Sequence, residues 1–196
     1  FETMKDVDTQ IINIQKVTDA TDVAMDALSE RAYSTASKYG VAANEYLAAA
    51  ADFAKAGYSN YEELAELATK TQLVGDVTAD VASKFLLSAD AAYKFGGNVD
   101  ELATVLDKAN VIENNYATSI EKMAAGFPNV ASTASMAKVS IDELMAALGT
   151  VTAVTQESGE KASYALRSLF LNILGDVGAE IDETTKVTAD SVNTLW

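Results

Sequence analysis

The sequence contains no histidine and no cysteine, and it has a single proline, Pro128, and a single tryptophan, Trp196, among 196 residues. Without imidazole or thiolate there is no metal site built on either group, and no mechanism that needs them. No disulfide can form, so folding rests on burial and packing; such a chain is compatible with a reducing compartment but does not require one. Cations are scarce: 14 Lys plus Arg against 29 Asp plus Glu leave a formal charge of −15. That balance argues against wrapping nucleic acid, which needs clustered Lys and Arg on the phosphates, and against docking on an anionic membrane surface. The longest apolar run, Tyr46 to Ala51, is mostly alanine and far short of the ~20 apolar residues of a membrane span. No basic-then-apolar leader opens the sequence. Phe1 and the run Ser191 to Trp196 do not look like natural termini, so a piece of a longer polypeptide is expected.

What the chain has in abundance is alanine, the best intrinsic helix former, within a hydrophobic content of 49% that suits a globular domain. Val7, Ile11, Ile14, Val17, Ala24, Leu28, Ala32 and Ala36 recur at steps of three, four and seven. They predict one helical face from Glu2 to Tyr39, with a bend or break at Thr18 to Asp22 and an end at Gly40. Further helices are predicted over 44–56, from Ser59 to Gly75, from Thr78 to Gly96, and from Asn98 through Ile112. Two short ones follow, 118–126 and 129–138, split at Gly126-Phe127-Pro128. Two more begin at Ser140 and Ser158, the last with Ala162, Ala165, Leu166, Leu169, Phe170 and Ile173 inward. Ile181 to Trp196 could hold one more helix or an extended stretch.

Ser59-x-x-Glu62, Asn98-x-x-Glu101, Thr118-x-x-Glu121 and Ser140-x-x-Glu143 each precede an apolar helical run. In such a box the first side chain accepts from the third helical amide and the Glu reaches back. No strict alternation marks a strand. The expected fold is all-α: seven to nine short helices joined by short loops, after a longer N-terminal helix. Residues 1–39 form that helix, 40–175 a helical core domain and 176–196 a connecting segment. Asn44-Glu45-Tyr46-Leu47 and Asp142-Glu143-Leu144-Met145, each with alanines following, hint at an internal duplication, although similar hairpins also arise independently.

No catalytic, cofactor-binding or metal-binding residue is assigned. Ser135-x-x-Lys138 and Ser158-x-x-Lys161 both fit the S-x-x-K pattern, but lack its companion motifs; a helix cap and a surface pair explain them. Asp100 with Glu101, and Asp142 with Glu143, sit in first helical turns, where they complement the helix dipole. There is no EF-hand loop and no Gly-rich phosphate loop. Tyr33, Tyr39, Tyr46, Tyr58, Tyr61 and Tyr93 read as core-edge residues with hydroxyls at the surface, and Asn114-Asn115-Tyr116 as an interhelical loop. Alanine-rich faces let helices approach closely but bury little area each, so helix pairs should be weakly held.

Three blocks carry a resemblance. The first runs from Ser37-Lys38-Tyr39-Gly40 through Asn44-Glu45-Tyr46-Leu47 to Ala54-Lys55-Ala56-Gly57-Tyr58-Ser59. The second is Val105-Leu106-Asp107-Lys108-Ala109-Asn110 followed by Asn114-Asn115-Tyr116-Ala117-Thr118-Ser119. The third joins Val139-Ser140-Ile141-Asp142-Glu143-Leu144 through Glu160-Lys161-Ala162 to Leu166-Arg167-Ser168-Leu169. In this order, over about residues 34–175, the set resembles the core region of phage tail tape measure proteins, of the kind common in long-tailed phages and prophages of Gram-positive bacteria. One departure is Glu160-Lys161-Ala162, where relatives read more like Ser-Glu-Ala-Gly, which implies a looser helix contact there.

The resemblance implies structural work and no catalysis. Tape measure proteins are long helical chains, present in several copies in the tail tube. Their length sets tail length during assembly, and they leave the tube ahead of the DNA. Implied partners are other copies of the chain, the tail tube protein, tail assembly chaperones and tail tip or distal tail proteins, with no specific nucleic-acid binding, no cofactor and no transmembrane segment. The implied locations are the virion's tail lumen or tip and the host cytoplasm during assembly. The rival readings are a helical interaction or adhesion module of a secreted or surface protein, and a tail-associated cell-wall hydrolase.

Overall fold

The computed structural model describes residues 2–175, with side chains from residue 4 onward. The connecting segment 176–196, with the further helix or extended stretch expected over Ile181 to Trp196, lies outside the described residues. Those described form α1 (Glu2–Thr18), α2 (Asp22–Tyr39), α3 (Ala43–Lys55), α4 (Tyr61–Gly75), α5 (Ala79–Tyr93), α6 (Val99–Asn115), α7 (Ile120–Met136) and α8 (Ile141–Thr155). A ninth helix, α9, covers 159–175. The fold is all-α, as expected, with no strand among the described residues.

The first periodic segment is two helices. Asp19 adopts a left-handed conformation (φ 51°), and the Thr21 hydroxyl then accepts from the Ala24 amide, starting α2. Gly40, at φ 73°, closes α2 as a C-terminal glycine should. α3 lies at the centre, packed on α1, α2, α4 and α5, and the largest helix pair is α5 with α7. Alanines at 43, 49, 50, 51 and 54 on α3 and at 82, 89 and 92 on α5 are buried, which brings the helices close. The remaining volume is filled by Leu47, Leu64, Leu86, Leu102 and a few large rings. Phe85 meets Phe127 edge-on, with centroids 5.1 Å apart, the arrangement ring quadrupoles favour. Buried threonines are accommodated by donating to the carbonyl one turn back: Thr69 to Ala65, Thr71 to Leu67 and Thr152 to Leu148.

Several boundaries differ from the sequence pattern, each for a physical reason. The two short helices expected either side of Pro128 are one, α7, with the proline inside it. An interior proline removes an amide and crowds the carbonyl four residues back, here that of Ala124, at a cost of about 3 kcal/mol. Burial of Met123, Ala124 and Phe127 before it and of Val130, Ala131 and Ala134 after it offsets this, since one fully buried Phe contributes about 1.5–3 kcal/mol. Asn114 and Asn115 belong to the last turn of α6, not to a loop, and the exposed Tyr116 ends the helix.

Of the four boxes, the one at Ser140 forms completely. Its hydroxyl accepts from the Glu143 amide, and the Glu143 carboxylate accepts from the Ser140 amide at 2.8 Å. At Asn98 the cap forms, accepting from the Asp100 and Glu101 amides. The other two boxes are displaced. α4 starts after Asn60, without a side-chain cap, because the Asn60 amide group donates to the Gly97 carbonyl and Glu62 pairs with Arg31 of α2 at 2.6 Å. α7 is capped by Ser119, not Thr118, whose hydroxyl pairs with Thr152 at 2.6 Å. The Thr118 amide, which Glu121 would accept from in the box, donates to the Tyr116 carbonyl instead, and Glu113 of α6 accepts from the Ile120 amide.

Candidate interaction surfaces

The groups that sequence patterns offered for chemistry are engaged in local structure. Ser158 accepts from the Lys161 amide as the cap of α9, and the Lys161 ammonium turns to Glu157 at 2.7 Å. Ser135 donates to the Ala92 carbonyl, and Lys138 sits in a left-handed turn. Asp142 pairs with Lys108 across α6 and α8, while Glu143 completes its box, whose hydrogen bonds from Ser140 hold its carboxyl below the usual range. Among the described residues, no three or more His, Cys, Asp or Glu come together as a metal cluster. No helix there is long and apolar enough to cross a membrane.

Tyr46, Tyr58 and Tyr93 place their hydroxyls on partners within the bundle, whereas Tyr33 is half exposed. Tyr46 is fully buried, not at the core edge, and its hydroxyl donates to the Glu62 carbonyl; burial pushes its pKa far up. Tyr58, from the α3–α4 connection, donates to the carboxylate of Asp90 on α5. Asp90 is only 6% exposed, and its other oxygen accepts from the Gly97 amide at 2.7 Å. Asn60 closes the ring by donating to the Gly97 carbonyl at 2.9 Å. Gly97, at φ 78°, has no room for a side chain: a Cβ there would lie 2.8 Å from the Tyr58 ring. The latch fastens two connections together and satisfies a buried charge without a cation. Burial and the Asp90 hydrogen bond push the Tyr58 pKa up to about 12, and burial does the same for Tyr93. On the outside, Glu66 of α4 gathers the Tyr39 hydroxyl (2.6 Å), Lys38 and Lys70. The Tyr39 hydrogen bond and the two ammonium groups lower its pKa.

Among the described residues, two apolar surfaces bear on function. A groove of about 340 Å³ lies between α6 and α8, lined by Thr104, Val111, Ile112 and Met145 with the Lys108–Asp142 pair. The other is α9. Its first turn meets α7 through two glycines: a Cβ on Gly126 would overlap the Gly159 carbonyl, and one on Gly159 would overlap the Lys122 carbonyl. The contact expected to be loose at Glu160-Lys161-Ala162 is therefore backbone-tight one residue earlier. Beyond it, α9 buries only Ala162, Ser163, Leu166 and Phe170. Ala165 is exposed, and Leu169 and Ile173, expected inward, are 51% and 45% exposed; Tyr164 and Leu171 are likewise open.

Asp90, Glu66 and the Gly126–Gly159 contact had no signature in the sequence. Asp90 lies inside the predicted α5 with nothing to set it apart from a surface carboxylate. A glycine inside a helical pattern does hint at close approach, but not at what approaches.

No solved structure matches the chain. A protein-family model described as phage-related minor tail protein matches residues 29–194, taking in α3 to α9 whole and most of α2. The match extends over more than half of the sequence, and the chain belongs to the family of phage-related minor tail proteins.

Proposed function

We propose that the chain is a non-catalytic structural segment of a tail tape measure protein, from a long-tailed phage or prophage of a Gram-positive host. The observation that carries this reading is the ordered set of three blocks over residues 34–175, inside the family match to residues 29–194. In this reading residues 40–175 are the core, 1–39 a helical lead-in packed on α3, and 176–196 a connecting segment. The virion-associated parent chain sets tail length, occupies the tube with other copies and leaves ahead of the DNA. It works beside tube, tip and chaperone proteins. An acidic filler with net charge −15 does not hold DNA that must pass the same lumen. Helix pairs built on alanine bury little area each, which suits a bundle that must open into extended helix within a narrow bore.

The test is an in-frame deletion of residues 40–175 in the parent gene, with tails measured by electron microscopy. As continuous helix that length spans about 200 Å, and tails should shorten by that order; unchanged tail length overturns the reading. A parent gene of many hundreds of codons beside tube and tip genes would support it. The isolated chain should leave duplex DNA unshifted in a gel at physiological salt and give no lytic band on peptidoglycan. A lytic band would favour the hydrolase instead.

A further inference from the structure

The distal half of α9 is apolar on nearly every side. From Tyr164 to Leu174 its polar side chains are Arg167, Ser168 and Asn172 alone. A helix of that kind is normally buried all round, yet here one stripe, Ala162, Leu166 and Phe170, faces the bundle. Beside it runs a second stripe at i, i+4 and i+8, Ala165, Leu169 and Ile173, that faces outward. We propose that this stripe is the docking site for the chain's own residues 176–196.

Three observations favour this occupant. The family match continues to residue 194, so most of the segment belongs to the same homologous unit as the bundle. The charges are complementary: α9 over 159–175 holds Glu160, Lys161 and Arg167, a net of +1, while 176–196 hold one lysine against five carboxylates, a net of −4. Reach and pattern also fit. About ten residues after Gly175 span up to ~33 Å, more than the ~25 Å length of α9. That is enough to turn back and lay Val187, Val192, Leu195 and Trp196 along the stripe. A second copy would set −15 against −15, whereas the segment sets −4 against the −11 of the rest of the chain, a smaller like-charge repulsion.

Trp196 is the only tryptophan, and the absence of cysteine leaves the whole chain open to engineered pairs. In the full 196-residue chain, tryptophan emission should be blue-shifted and shielded from acrylamide at all protein concentrations, with a monomeric mass by sedimentation. Leu169→Glu with Ile173→Glu should red-shift the emission and raise quenching towards that of a free tryptophan amide, with helical circular dichroism retained. Leu169→Cys with Val192→Cys should oxidise to an intramolecular disulfide, read as a faster-migrating monomer; this arm holds even if the glutamate variant unfolds. Solvent-exposed emission in the unaltered chain, shielding that the glutamates leave intact, shielding that appears only with dimer mass, or a cysteine pair that crosslinks only between chains would each overturn the proposal. None of these readouts depends on tail length, so they stand apart from the tape-measure reading.

Discussion

The α5–α7 pair and α9 are made from similar residues and end up in opposite situations. α5 and α7 each bury seven or more residues against several neighbours, and their two phenylalanines meet in a ring pair sealed from solvent. α9 carries leucines, an isoleucine and a phenylalanine at the same helical spacing, yet only Ala162, Leu166 and Phe170 of its apolar residues are buried. Apolar content therefore does not set burial. Packing on neighbours does: α5 packs on α3, α4, α6 and α7, while α9 lays a single apolar stripe on the bundle.

Phe127→Ala tests the centre hardest. It removes a fully buried ring from the partnership with Phe85 and should cost about 3–5 kcal/mol in urea unfolding, whereas Leu171→Ala, half exposed on α9, should stay within about 0.5–1 kcal/mol. Equal losses would dissolve the contrast. Gly159→Ala comes next: its methyl would collide with the Lys122 carbonyl, backbone that cannot swing aside, so overpacking of about 1–3 kcal/mol is expected. The loss should appear as faster amide exchange in α9. Gly175, which meets nothing within 4 Å, should accept alanine without loss.

Tyr58→Phe should cost about 1–3 kcal/mol, because it leaves the buried Asp90 carboxylate short of a donor. It also carries a pH signature. The Tyr58 and Tyr93 pKa values stand at about 12 in the folded chain, above the ordinary value of about 10. Their contribution is fully present below the unfolded value and fades as pH rises through the folded one. Urea midpoints should therefore fall between about pH 10 and 12, and Tyr58→Phe should flatten that fall. The smallest effects separate the two kinds of box. Ser140→Ala should cost about 1 kcal/mol of thermal stability, and Ser59→Ala, exposed and outside the cap, less than about 0.5 kcal/mol.

The helix starts show how far local pattern reaches. Thr78, Asn98, Ser140 and Ser158 cap where the sequence places them, because a cap needs partners only two or three residues away. Ser59 and Thr118 fail because neighbours outbid the local bonds: Gly97 takes the Asn60 amide group, Arg31 takes Glu62, and Thr152 takes Thr118. The polar latch was not legible for the same reason. Tyr58 and Asp90 are 32 residues apart in sequence, and only packing of α3 on α5 brings them together.

Sequence alone determined the all-helical class, the sites of most turns, the acidic surface and the lack of imidazole or thiol chemistry, since these follow from composition and from interactions within one helical turn. Tertiary structure decided that Pro128 lies inside a continuous helix, that Tyr46 is buried and that α9 turns an apolar stripe away from the bundle. Each of those depends on which helices surround a residue, and burial against several neighbours can outweigh a local cost of about 3 kcal/mol.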